Sequence, residues 1–165
     1  MRAGLIAGVV ALMLTATAQA DQAPLTDWRK DGTDAEKLEN VVRAVPSASR
    51  IMIEMGERYR NLYWAGKLGY WEFAEYQVEE MESLVKLLQL TRPGRAATAA
   101  DFLEEGFEEF DEAFEKKAWE PFFQAFDHMR EQCMICHGRN DHGFIILPVH
   151  PVTASSPVLN LGEAD

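Results

Sequence analysis

Cysteine is scarce in this chain: two in 165 residues, Cys133 and Cys136. Two thiols with no second pair do not complete the usual four-ligand structural zinc site. Basic residues are also few, with 16 Lys and Arg against 27 Asp and Glu and a formal charge of −11. Such a surface repels nucleic acid and anionic lipid, and it favours a protein partner that carries a basic docking patch. Beyond the N-terminal segment, no stretch approaches the roughly 20 apolar residues that a membrane-spanning helix needs. Strand-period alternation and internal repeats are missing too, so helical periodicity is the pattern left to read.

The first twenty residues combine Arg2, an apolar run from Leu5 to Leu14, and the small-x-small sequence Ala18-Gln19-Ala20 before Asp21. This is the layout of a secretory signal peptide cleaved after Ala20, too short to remain as a membrane span. The expectation is an exported, periplasmic protein with no membrane insertion after cleavage. The rest of the chain suffices for one domain. Residues 21–45 are polar and mixed, a leader with one short helical piece around Glu36 to Arg43.

After Pro46 the apolar positions Ala48, Met52, Met55, Tyr59 and Leu62 recur at spacings of three and four, which predicts a helix ending near Gly66 to Gly69. A second begins around Trp71, carries Ala74, Val78, Met81, Val85 and Leu88 on one face, and stops before Pro93-Gly94. In a third, Leu103, Phe107, Phe110 and Phe114 make the apolar stripe, and a run of glutamates occupies the remaining surface. That acidic face reads as solvated, with partner docking as the sharper alternative. The fourth starts near Trp119 to Pro121 and aligns Phe122, Phe126, Met129, Cys133 and Cys136. Four helices joined by short turns predict an all-α, antiparallel up-down four-helix bundle over residues 46–137. The tail, 138–165, contains Phe144-Ile145-Ile146-Leu147 and then Pro148, Pro151 and Pro157, which predicts an extended segment folded back over an exposed cofactor edge or over the bundle's open end. Its alternative use is as an interface strand for a partner or for a second copy of the chain, that is, a homodimer.

Cys133-Met134-Ile135-Cys136-His137 carries the chemistry. Two thiols two residues apart, followed at once by an imidazole, are the pattern for covalent c-type haem attachment: each thiol forms a thioether and His137 reaches the iron. A thioredoxin-like pair also has two intervening residues, but it expects alternating strands and helices, whereas these flanks read as helix. The predicted cofactor is one covalently bound haem c, with Cys133 and Cys136 attaching it and His137 as proximal ligand.

Antiparallel topology places the start of the first long helix beside His137, so Met52 and Met55 become candidates for the other axial position. Met52 is preferred as the distal iron ligand, with Met55, Phe126 and Met129 lining the pocket. Both methionines also suit a role as flexible core filler. His142 and His150, in the tail, are alternative sixth ligands. His128 lies on the same helix as the motif and reads as a surface or supporting residue. Arg130 and Arg139 flank the motif and are candidates for pairing with the haem carboxylates.

With the motif at the end of a fourth helix, the chain resembles the class II c-type cytochromes, the cytochrome c′ and c-556 type, across roughly residues 46–140. The stretches Leu62-Tyr63-Trp64-Ala65-Gly66, Trp71-Glu72-Phe73-Ala74 and Gly143-Phe144-Ile145-Ile146 are also similar to a less characterised group of exported mono-haem proteins. The resemblance implies a periplasmic haem protein in which a methionine at the position of Met52 binds the iron in six-coordinate members and does not in five-coordinate ones. The 28 residues after His137 depart from the cytochrome c′ pattern, which puts the exposure of the haem edge and the family's dimer packing in doubt. The function expected is a one-electron carrier and not an enzyme. The alternative is a five-coordinate haem protein that binds or senses nitric oxide or carbon monoxide. Peroxidase chemistry lacks a distal histidine and arginine pair on the first helix, because Arg50 and Arg58 lie off the apolar stripe.

Overall fold

The structure, a computed structural model, describes residues 27–152. The expected signal peptide, the start of the leader and the last part of the tail lie outside the described residues. Those residues are helical and contain no strand. The chain divides into two units, residues 1–43 and 44–165.

In the first unit, α1 (Trp28–Asp31) precedes α2 (Asp34–Ala44), which ends at the unit boundary. A reciprocal cap starts α2: the Thr33 N–H donates to Glu36 at 2.8 Å and the Glu36 N–H donates to Thr33 Oγ1 at 3.3 Å. The helical piece expected at Glu36 to Arg43 is therefore present and slightly longer. Its Leu38, Val41 and Val42 are exposed.

The second unit contains α3 (Ala48–Leu68), α4 (Trp71–Thr91), a 3-10 turn (Pro93–Arg95), α5 (Ala96–Glu105), α6 (Phe110–Lys116) and α7 (Trp119–Arg139). α3 packs on α4 and α7, α5 joins α4 to α7, and α6 lies on α7. Ser47 caps α3 by accepting from the Arg50 N–H at 3.3 Å. Gly69 ends it with φ +77°, a left-handed conformation natural to glycine, while the Tyr70 N–H closes back on the Ala65 carbonyl at 2.8 Å. The stripe predicted from spacing is the buried face: Met55, Tyr59 and Leu62 are inside, joined by Ile51.

Close approach of α3 to α7 depends on Gly66. A Cβ built there would lie 2.0 Å from the Phe122 ring, and Phe122 is fully buried. Around this contact Tyr59, Tyr63, Phe110, Phe126 and Trp119 form an aromatic cluster; the Tyr59 and Phe126 rings are 4.6 Å apart and Phe110 and Phe122 5.8 Å apart. Offset and edge-on packing of this kind adds to the burial of large apolar areas.

The single third helix expected from the phenylalanine stripe is two. α5 ends at Gly106, whose N–H bonds to the Phe102 carbonyl at 2.8 Å, and α6 begins at Phe110. Phe107 turns in to meet Phe102 edge-on at 5.2 Å, and a Cβ on Gly106 would lie 2.7 Å from the Phe102 carbonyl oxygen. One continuous helix would also set Glu104 against Glu108 and Glu105 against Glu109, like charges four residues apart. All four are exposed, as the solvated reading of the acidic run requires.

The tail runs back along α3. Tyr59 Oη donates to the Pro148 carbonyl at 2.5 Å, Tyr63 Oη pairs with His150 Nδ1 at 3.0 Å, and Trp64 Nε1 donates to the Pro151 carbonyl at 3.2 Å. His150 also stacks on Phe123 at 5.5 Å, and Pro151 is buried. Helical spacing puts positions 59 and 63 one turn apart on the same face, so the three donors form a row that matches an extended backbone. Phe144, Ile145 and Ile146 remain exposed, so of the four-residue apolar run only Leu147 packs against the core.

Gly66→Ala is expected to lower the unfolding free energy by about 1–3 kcal/mol, since neither the helix backbone nor the enclosed Phe122 ring has room to move; urea titration measures it. Tyr59→Phe, which keeps the ring and removes the donor, should cost about 1 kcal/mol. It should also speed amide hydrogen exchange in residues 145–152, whereas unchanged protection there would show that the row of hydrogen bonds does not hold the tail.

Candidate functional site

Helix α7 divides along its length. Its N-terminal half fills the aromatic cluster, and its last two turns present Cys133, Cys136 and His137. Opposite them, the first three turns of α3 present Met52, Met55 and Gly56. Between the two lies a cavity of about 640 Å³, completed by Met81, Val85 and Leu88 of α4, by Ala99 and Phe102 of α5, and by Ile145 and Leu147 of the tail. The volume is within the roughly 300–1,000 Å³ range of ligand and cofactor sites, and an apolar wall with few polar groups is their usual composition.

Every residue of the predicted attachment set and both candidate methionines line this one cavity. Met55 is buried and Met52 half-buried. Phe126 and Met129, expected to line the pocket, do not: both are fully buried in the core and absent from the cavity wall. The stripe that carries them is continuous with Cys133, but the cavity begins only one turn later. His142 does face the cavity, with its Nδ1 against the Asn140 carbonyl at 2.5 Å. His150 is instead held by Tyr63 and Phe123, away from the wall. His128 sits beside Glu105, Nε2 to carbonyl oxygen 2.9 Å, and near Glu108 and Glu109, also off the wall.

Arg130 and Arg139 are committed elsewhere. Arg130 pairs with Asp127 at 2.5 Å and Arg139 with Asp101 at 2.5 Å, and neither lines the cavity. Sequence reasoning missed Arg95, which does line it. It also missed Met81 as a wall residue, although Met81 stands on the predicted stripe of α4. Nothing local marks Arg95, whose place is set by the turn between α4 and α5.

Burial governs the thiols. The Cys133 thiol is pushed up to about 12, chiefly by desolvation and then by Cys136, with Arg130 opposing. Burial also raises Cys136, against the Thr98 hydrogen bond and the cations Arg139 and Arg95. Both sit in the C-terminal part of α7, where the helix dipole disfavours a thiolate. A reactive dithiol needs the reverse surroundings, an exposed and electropositive site or a helix N-terminus. His137 is shifted down by burial, and the Ile145 main chain offsets part of this without completing a hydrogen bond. Its buried Nδ1 has no hydrogen-bond partner among the described residues. The Tyr59 hydroxyl is held protonated, again mainly by burial.

These features fit a haem. Two thiols and an imidazole stand on one wall, thioethers on the facing one, and a buried ring nitrogen keeps the imidazole neutral for coordination. Gly56 fits the same way, since a Cβ added there would meet no atom within 4 Å and would enter the cavity. Gly56→Ala is accordingly expected to stabilise the haem-free chain by about 0.5–1 kcal/mol through helix propensity alone, opposite in sign to Gly66→Ala in the same urea titration. No family model matches this chain, and no curated protein or solved structure is significantly similar to it.

Proposed function

We propose that this protein is an exported mono-haem c-type cytochrome that carries single electrons. The observation that carries the reading is the shared cavity: Cys133, Cys136 and His137 on one wall and Met52 and Met55 on another. Cys133 and Cys136 would hold the macrocycle as thioethers, each thiol adding across one vinyl group. His137 would ligate the iron from α7 and Met52 from α3. When bound, haem iron supplies a ferric/ferrous couple whose potential a thioether ligand raises. The chain's own part is to fix the ligands, keep water off the iron with the apolar wall of α4 and α5, and cover one side with Ile145 and Leu147.

The antiparallel four-helix bundle belongs to the same proposal, with α5 and α6 together in the place of one helix. Its support is the order of contacts along α3 and α7. Gly66 meets Phe122, Tyr59 meets Phe126, and Met52 and Met55 share the cavity with Cys133, so positions descend on one helix as they ascend on the other. Periplasmic location rests on the N-terminal sequence. No helix among the described residues is long and apolar enough to cross a membrane. The exposed glutamates of α5, α6 and the turn between them are the proposed docking face for a redox partner with a basic patch.

The test is expression of the full chain with haem-c maturation machinery, followed by mass and absorption measurements with and without carbon monoxide. A covalent haem adduct with a low-spin spectrum, unmoved by carbon monoxide, is expected. Met52→Ala should open the iron to carbon monoxide and lower the reduction potential, while Met55→Ala should leave the spectrum in place. A high-spin wild-type spectrum that shifts with carbon monoxide would replace the carrier with the gas-binding reading. A chain recovered without haem would overturn both.

A further inference from the structure

The cavity wall carries six ionisable side chains: Tyr59, Arg95, Cys133, Cys136, His137 and His142. None is a carboxylate. Arg95 is the one fixed positive charge among them, and it is half-buried. In a chain with 27 acidic residues its guanidinium has no hydrogen bond or ion pair among the described residues. The neighbouring arginines differ: Arg58 bonds Glu54 at 2.8 Å, Arg130 bonds Asp127, Arg139 bonds Asp101, and Arg92 donates to the Pro46 carbonyl at 2.6 Å. That last bond ties the start of α3 to the turn that carries Arg95. Ser47 and Ser49, at the start of α3, line the cavity together with Arg95. A guanidinium on the cavity wall that meets no anion is free to take one, and its planar donor fork matches a carboxylate.

We propose that Arg95 is the residue that orients the cavity's occupant, by taking a carboxylate that enters with it. This deepens the haem reading and rests on it: the carboxylate is then a haem propionate, Ser47 and Ser49 are the hydroxyls beside it, and Arg130 and Arg139 have no part in holding it. Arg95 is a positioning residue, and it also sets charge close to the iron. With the cation present the carboxylate stays ionised and neutralised across the neutral range. Without it, the acid titrates upward from its ordinary value near about 4 as burial disfavours its charge.

The experiment compares holoprotein of wild type, Arg95→Gln, Arg95→Lys and Arg139→Gln, recording haem content and midpoint potential from about pH 5 to 8. Arg95→Gln should retain covalent haem, because the thioethers do not depend on Arg95. Its potential should fall below wild type as pH rises, since an ionised, unpaired carboxylate favours ferric iron, and should return toward wild type as pH falls and the acid is neutralised. Arg95→Lys should restore the wild-type curve at least in part, and Arg139→Gln should follow wild type throughout. Groups common to every variant cancel in the difference from wild type, so the difference curve is the readout. A difference curve for Arg95→Gln that is flat with pH, or a pH-dependent one for Arg139→Gln, would overturn the assignment. Wild type without haem would overturn the parent reading instead, and haem content alone distinguishes the two failures.

Discussion

A helical core that does not close on itself is the constraint on which the second unit depends. About 640 Å³ bounded mostly by apolar side chains is large for 165 residues. At about 24 cal/mol per Å³, a sealed and dry void of that volume would cost about 15 kcal/mol, as much as the whole stability of an ordinary domain. Packing elsewhere must therefore hold the helices, and any occupant that fills this space adds directly to the stability of the fold.

The aromatic cluster is where that packing lies. Phe110, Phe122 and Phe126 are fully buried, and Gly66 lets α3 approach α7 closely enough to enclose them. Each long helix thus has one half that stabilises and one half that lines the cavity. On α7 the change falls between Met129 and Cys133, and on α3 between Met55 and Tyr59. Tyr59 belongs to both halves, with its ring against Phe126, its edge on the cavity, and its hydroxyl on the Pro148 carbonyl. The tail gains its place by matching a row of donors on α3, and in doing so adds Ile145 and Leu147 to the wall.

Periodicity and spacing revealed α3, α4 and α7 closely, because each has an uninterrupted apolar stripe bounded by glycine or proline. They also singled out Cys133, Cys136, His137, Met52 and Met55, which the cavity brings together. The break between α5 and α6 was not legible, since the stripe of Leu103, Phe107, Phe110 and Phe114 continues across it and only the inward turn of Phe107 interrupts the helix. Phe126 and Met129 were misplaced for a related reason: a stripe shows which side of a helix is buried, not where along it the core gives way to a cavity. Arg95 and the tail contacts are long-range pairings, set by how turns and segments meet in space, and no local pattern encodes them.

Burial of the thiols separates the two chemistries that Cys-x-x-Cys permits. Burial pushes the Cys133 thiol up to about 12, which keeps it protonated at neutral pH, and the dipole at the C-terminal end of α7 acts in the same direction. Exchange with a disulfide requires a thiolate that an external partner can reach, and Cys133 is neither ionised nor exposed. A thioether link has no such requirement once made, and it gains from an apolar, water-poor wall. The surroundings that disable a redox dithiol are therefore those that would suit a permanently attached group, and His137, one turn beyond Cys133 on the same cavity, is the imidazole such a group would meet.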